Sequence, residues 1–224
     1  MALPKLNDKP KYELVIPSTK QKVKFRPYLV KEEKVLMFEA IADTIEACVD
    51  DDIDKNVLTT FDIEYMFVKI RTKSVGESIK LIPKCSECEA ENEISIGLDE
   101  IIVDIPEGNN IIKISDDINI KMRWPSFLSV LSDDVINDKS ETEQTFKMIS
   151  KCIESVMTED ENMMFKDEPK KDQMEFIESL NNEQFNAIRE FVEKMPSLEH
   201  DASYKCNACE HDNELKLKGM SDFF

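Results

Sequence analysis

The 224-residue sequence predicts an α+β fold, and three observations carry that reading. Short stretches alternate apolar and polar residues, as half-buried strands do, while longer ones repeat apolar residues every three or four positions, as amphipathic helices do. Two Cys-x-x-Cys pairs also sit in matching local sequence, although 117 residues lie between Cys88 and Cys206.

Residues 12–16 and 23–26 read as strands around the turn Pro17-Ser18-Thr19-Lys20-Gln21, giving an N-terminal β-hairpin. Over 31–49 the residues Val35, Phe38, Ile41, Ala42, Ile45, Cys48 and Val49 form one apolar face, which predicts a helix. Asp50, Asp51 and Asp52 then fall where the helix dipole is negative, so a loop is expected. With Asp54 they do not make a calcium loop, because the glycine turn and the twelfth-position Glu are missing. A second helix is predicted over 60–73, burying Phe61, Tyr65, Phe67 and Val68, with Gly76 at its exit.

Between Ile94 and Met122 three or four short strands are expected, separated by Pro106-Glu107-Gly108 and by Ser115-Asp116-Asp117. Four helices follow, over 126–137, 141–152, 170–180 and 182–195. Ser140 and Glu143 fit a capping box, and Asn181 or Asn182 can cap the last helix. The stretch 155–172 fits neither period and is expected to be a long loop with at most a short strand. Its Met163, Met164 and Phe165 either tuck under neighbouring helices or grip a partner. Cys48 and Cys152 lie on apolar helix faces and are expected to be buried and inert.

The sharpest signal is a duplication. Lys84-Cys85-Ser86-Glu87-Cys88-Glu89-Ala90-Glu91-Asn92-Glu93-Ile94-Ser95-Ile96 aligns without a gap on Lys205-Cys206-Asn207-Ala208-Cys209-Glu210-His211-Asp212-Asn213-Glu214-Leu215-Lys216-Leu217. Each copy reads as a tight cysteine turn followed by a strand. Two such knuckles facing each other supply four thiolates at tetrahedral positions, so Cys85, Cys88, Cys206 and Cys209 are expected to bind one Zn2+ as a zinc ribbon. With all four positions filled by cysteine, the ion would be structural, not catalytic. A redox dithiol would need one pair at a helix start with a lowered thiol pKa, whereas both pairs precede strand-like segments among carboxylates that should raise it. An iron–sulfur cluster could also use four cysteines, but zinc accounts better for the paired knuckles. His200 and His211 are expected at the surface or behind the ligands. Closing so long a loop costs roughly 1.5–2 kcal/mol more than closing the usual 15–20 residues. Structural zinc contributes about 10–16 kcal/mol in small fingers, severalfold more than that cost.

Other chemistry is not apparent. The formal charge is −18, from 29 Lys+Arg against 47 Asp+Glu, and a field of that sign repels nucleic acid. No run approaches the roughly 18 apolar residues of a spanning helix, and the first residues do not resemble an export signal, so cytoplasmic synthesis without membrane insertion is expected. Gly-rich phosphate loops, nucleophile elbows and His-Glu-x-x-His are absent, and carboxylate pairs such as Asp133/Asp134 or Glu141/Glu143 could be nominated only arbitrarily. No enzyme is expected.

Several segments together resemble one family. They are Pro10-Lys11-Tyr12-Glu13-Leu14-Val15-Ile16-Pro17-Ser18, the run from Arg26 to Lys34 containing Val30-Lys31-Glu32-Glu33-Lys34, the run from Phe61 to Phe67, and Arg71-Thr72-Lys73-Ser74-Val75-Gly76-Glu77. Both knuckles and the ending with Gly219, Asp222, Phe223 and Phe224 belong to the same set. The sequence is similar to the T-even-type bacteriophage baseplate hub subunit and hub assembly protein family. That resemblance implies a non-enzymatic virion structural protein or assembly factor of the contractile tail, made in the host cytoplasm and residing in the tail baseplate. Its implied partners are other baseplate hub or tape-measure proteins. A transient assembly chaperone is the alternative, and a zinc-ribbon adaptor for nucleic acid or transcription is a distant one. Phe223 and Phe224 either fold back as core or project as an anchor. The expected organisation is 1–80 as hairpin plus helices, 81–98 with 197–224 as a discontinuous zinc ribbon, and 99–196 as an insertion of strands and then helices.

Overall fold

A computed structural model describes residues 10–33, 41–106, 110–131 and 141–223. Helix and sheet are mixed throughout, and the chain divides into two compact units. The first comprises Met1–Asp54, Thr60–Ile105 and Ser197–Phe224, and the second Lys55–Thr59 and Pro106–Pro196.

The first unit opens with the expected antiparallel hairpin, Tyr12–Val15 against Lys22–Phe25. Its turn is fastened to the helix Thr60–Ser74, where the fully buried Asp62 accepts hydrogen bonds from the backbone N–H of Ser18 (2.9 Å) and from its hydroxyl. Placing the carboxylate in the first helical turn also suits the dipole. Of the helix expected over 31–49, the structure gives Val30–Glu33 and Ile41–Cys48, and residues 34–40 lie outside the described residues. The helix Thr60–Ser74 buries residues around most of its circumference, including Phe61, Met66, Phe67, Val68 and Ile70.

Two further hairpins complete this unit. Ser78–Leu81 pairs with Ile94–Gly97, and Leu198–Lys205 pairs with Asp212–Lys218, with Ile102–Val103 added beside Leu198 and Glu199. Val68, Ile79, Ile96, Leu198, Leu217 and Phe223 share one buried cluster, so both hairpins stand on the same core. After the last strand Gly219 turns the chain with a φ of 69°, a conformation that costs other residues energy, and its N–H returns to the carbonyl of Leu198 at 2.8 Å. Phe223 thereby folds into the core at 1% exposure, which decides its case; Phe224 lies outside the described residues.

The second unit holds a four-stranded antiparallel sheet in the order Ile111–Lys113, Asn119–Met122, Ile153–Met157, Asn162–Met164. Residues of Glu141–Cys152, Lys170–Glu178 and Asn182–Glu193 close its core, with Ile149, Cys152, Ile177 and Ile188 buried among Ile120, Met122, Ile153 and Val156. Asn181 caps the last of these helices in a reciprocal capping box with Gln184. The helix expected over 126–137 is described only as Phe127–Val130, capped by Ser126, and the proposed cap at Ser140 lies outside the described residues.

The long loop expected over 155–172 is corrected, while the short strand allowed within it is present at Asn162–Met164. Ile153–Met157 is an interior strand of the sheet and Asn162–Met164 is its edge. The alternation was hidden by a bulge, because Lys121 pairs with Ser155 but Met122 pairs with Ile153, which leaves Glu154 as an extra residue. Ile153, Ser155 and Val156 are consequently all buried, a pattern with no simple period. Phe165 tucks into the core with Met163 packed beside it, whereas Met164 is 37% exposed.

Arg26 and Glu32 form a two-pronged ion pair, both contacts at 2.9 Å, with side chains only 13% and 14% exposed. Hydrogen bonding to Arg26 brings the Glu32 carboxyl from 4.5 to about 2, against the opposing effect of burial and helped by the Leu29 N–H. A lowered folded pKa stabilises fully above the unfolded value and is lost as pH falls through the folded one. Acidification from about pH 5 to about pH 2 should therefore remove roughly 2–3 kcal/mol through this group. Urea unfolding midpoints should fall less steeply with acid in Glu32→Gln than in the parent chain.

Candidate metal centre

The two later hairpins of the first unit, Ser78–Leu81/Ile94–Gly97 and Leu198–Lys205/Asp212–Lys218, each carry one cysteine pair at the tip. In the first, Lys84 bridges Glu91, the Cys85 N–H donates to the Ala90 carbonyl at 2.9 Å, and the Glu89 N–H donates to the Cys85 carbonyl at 3.0 Å. In the second, Lys205 pairs with Asp212, the Cys206 N–H donates to the His211 carbonyl at 2.8 Å, and the Glu210 N–H donates to the Cys206 carbonyl at 3.0 Å. Glu89 and Glu210, four positions beyond the first cysteines, both have positive φ, 57° and 63°. The duplication seen in sequence is thus repeated bond for bond in the backbone.

The two tips meet. The Sγ atoms of Cys85 and Cys209 are 3.7 Å apart, those of Cys88 and Cys206 are 3.6 Å apart, and all four lie within 4.8 Å of one another. A disulfide requires about 2.05 Å, so these are four free thiols. A tetrahedral ion with metal–sulfur bonds of about 2.3 Å places its sulfurs roughly 3.8 Å apart, close to the spacing seen here. A multi-iron cluster suits this cage less well, because its thiolates bind different iron atoms and are spread apart. Cys85 and Cys206 are buried at 2% exposure each, while Cys88 and Cys209 are exposed. The Tyr204 hydroxyl donates to the Lys84 carbonyl at 3.0 Å and ties the second hairpin to the first.

The electrostatics correct one expectation. Carboxylates nearby were expected to raise the thiol pKa values, but the N–H groups of the knuckles dominate at the first cysteine of each pair. Backbone N–H groups of Cys209 and Ala208 bring Cys206 down to about 6, and that of Cys88 lowers Cys85. The second cysteines move the other way. Although the His211 N–H favours its thiolate, hydrogen bonding with Cys88 and loss of water push Cys209 up to about 12, and Cys88 also rises despite the Ala90 N–H. Four thiols this close cannot all ionise without a counter-charge, which a divalent cation of borderline softness would supply.

Neither histidine belongs to the cluster: His200 sits on a strand, and His211 contributes its backbone carbonyl to the second knuckle. Cys48 and Cys152 are buried elsewhere, and burial pushes the Cys152 thiol up to about 12, consistent with an inert group. Asn92 and Asn213, at the same position in each copy, are both buried at the centre, a role that the sequence reading does not assign them. The signal that could have found them was their place in the duplicated register.

The family described as T4 bacteriophage base plate protein matches residues 9–224, nearly the whole chain. The chain belongs to that family. No curated protein and no solved structure gives a significant match. Membership supports a structural role in the phage baseplate, contacts with other baseplate proteins and a place in the virion tail, and it suggests a non-enzymatic protein. Among the described residues no helix is long and apolar enough to cross a membrane.

The left-handed backbone at the two knuckles has a measurable consequence. Valine in place of Glu89 or Glu210 should destabilise the chain by about 1–2 kcal/mol, since a β-branched side chain fits that conformation poorly, whereas glycine should be tolerated. Thermal melts of the four single variants would show whether the two positions respond alike.

Proposed function

We propose that this protein is a non-enzymatic component of the central baseplate hub of a contractile-tailed phage, acting in hub and tail assembly through protein–protein contacts. A structural Zn2+ on Cys85, Cys88, Cys206 and Cys209 closes its ribbon. The family match over residues 9–224 carries the baseplate reading, and the convergence of four sulfurs within 4.8 Å supports the metal. Its partners are other hub or tape-measure proteins, met in the host cytoplasm before the finished tail. The formal charge of −18 favours encounters with basic protein surfaces and opposes nucleic acid.

Zinc would act on the fold alone. Four protein sulfurs leave no open coordination position for water or substrate, so its contribution is the closure of the two hairpin tips. Metal analysis of the purified full chain should give one zinc per molecule, and a value well below one would remove the metal from this proposal. In Cys206→Ser, hydrogen exchange should accelerate around Cys85 as well as around Cys206, because each tip depends on the other.

A component that stays in the hub should appear in purified particles at a fixed ratio to other baseplate proteins. Quantitative mass spectrometry of virions reads that ratio. Its absence from particles, together with recovery in complex with hub proteins from infected cells, would replace a resident subunit with a transient assembly chaperone.

A further inference from the structure

We infer that Asn92 and Asn213 are the positioning residues of the metal centre, each holding the first cysteine of the opposite knuckle through its side-chain amide. This rests on the proposal that the four sulfurs bind zinc. The Asn213 Oδ1 accepts hydrogen bonds from the backbone N–H of Ser86 (2.9 Å) and from its hydroxyl (3.1 Å), and its Nδ2 donates to the His211 carbonyl (3.0 Å) and to the Cys85 sulfur (3.6 Å). The Asn92 Oδ1 accepts from the backbone N–H of Asn207 (2.8 Å), and its Nδ2 donates to the Ala90 carbonyl (2.8 Å) and to the Cys206 sulfur (3.7 Å). Apart from the Ser86 hydroxyl, the two sets of bonds exchange under a twofold relation between the knuckles.

Burial explains why amides stand there. Cys88 and Cys209 are exposed residues, so water can supply part of the solvation of their sulfurs. Cys85 and Cys206 are 2% exposed, so only protein donors can do the same for them, and the two asparagines donate to these two sulfurs. Asn92 and Asn213 are themselves 1% and 6% exposed, and both ends of each amide are used. The backbone N–H groups of Ser86 and Asn207 fix which end is oxygen, which directs the NH2 group at carbonyl and sulfur. Aspartate would keep the acceptor but lose the donor and set a negative charge beside a thiolate. Alanine would lose both. Four thiolates around one dication leave a net charge of −2, and hydrogen bonds to the sulfurs spread that excess while fixing their direction.

The test uses the full-length chain loaded with Zn2+, Co2+ or 113Cd2+. In the unaltered protein, the side-chain NH2 protons of Asn92 and Asn213 should show through-hydrogen-bond coupling to 113Cd, as expected for N–H donating to a metal-bound sulfur. Asn92→Asp and Asn213→Asp should each weaken Zn2+ about 10–100-fold in competition with a chromophoric chelator. Their Co2+ forms should show the thiolate-to-cobalt charge-transfer band moved to lower energy, which general loosening of the fold would not produce. Absence of the coupling, or variants with unchanged affinity and an unchanged band, would overturn the assignment. If a variant does not fold, the coupling measured in the unaltered chain decides alone. Failure of the unaltered chain to take up any of the three ions would instead overturn the metal reading, and this inference with it.

Discussion

The approach of two hairpin tips across 117 intervening residues is the constraint on which the first unit depends. Neither tip could be positioned by its own local sequence. The hairpins Ser78–Leu81/Ile94–Gly97 and Leu198–Lys205/Asp212–Lys218 become neighbours because Ile79 and Ile96 from one share a buried cluster with Leu198 and Leu217 from the other. That shared apolar footing sets the separation of the tips, and polar contacts from Tyr204, Asn92 and Asn213 then set their register. Hydrophobic burial is not directional and cannot by itself bring four sulfurs within a few ångströms, whereas hydrogen bonds between the knuckles can.

The centre was readable from sequence to an unusual degree because it was written twice. Matching Cys-x-x-Cys pairs, a matching Asn and alternating apolar residues after each pair identified two copies of one geometry. The strands leading into the knuckles were less visible. Ser78–Leu81 has only four residues, with Ile79 its one buried side chain, and Leu198–Lys205 turns His200, Ala202 and Tyr204 toward partly buried positions instead of large aliphatic residues. Hydrophobic alternation has little to register in either. In the second unit the bulge opposite Lys121 and Met122 broke the period of Ile153–Met157, so an interior strand looked like a loop. Pairing and burial decide such segments, and both depend on residues far away in sequence.

The charges of the first unit follow the same logic of local satisfaction. Net charge alone says that the protein is strongly acidic, yet Glu32 and Asp62 are each engaged by specific donors. Glu32 is gripped by Arg26, and Asp62 receives Ser18 from the hairpin turn. At the first cysteine of each pair, backbone N–H groups favour the thiolate because they are aimed at the sulfur from within hydrogen-bonding range. Proximity and direction, more than the overall sign of the field, set the state of each buried group.

The order of the knuckles along the chain has a consequence for biosynthesis. At about 5–20 residues per second, a ribosome needs roughly 6–23 s to pass from Cys88 to Cys206. During that interval the first tip has emerged without its counterpart, and most of the second unit is made before the first can close. A nascent chain that stalls anywhere in between carries two unmatched thiols and half of a hydrophobic footing. Closure of the two tips therefore waits until translation has passed Cys209.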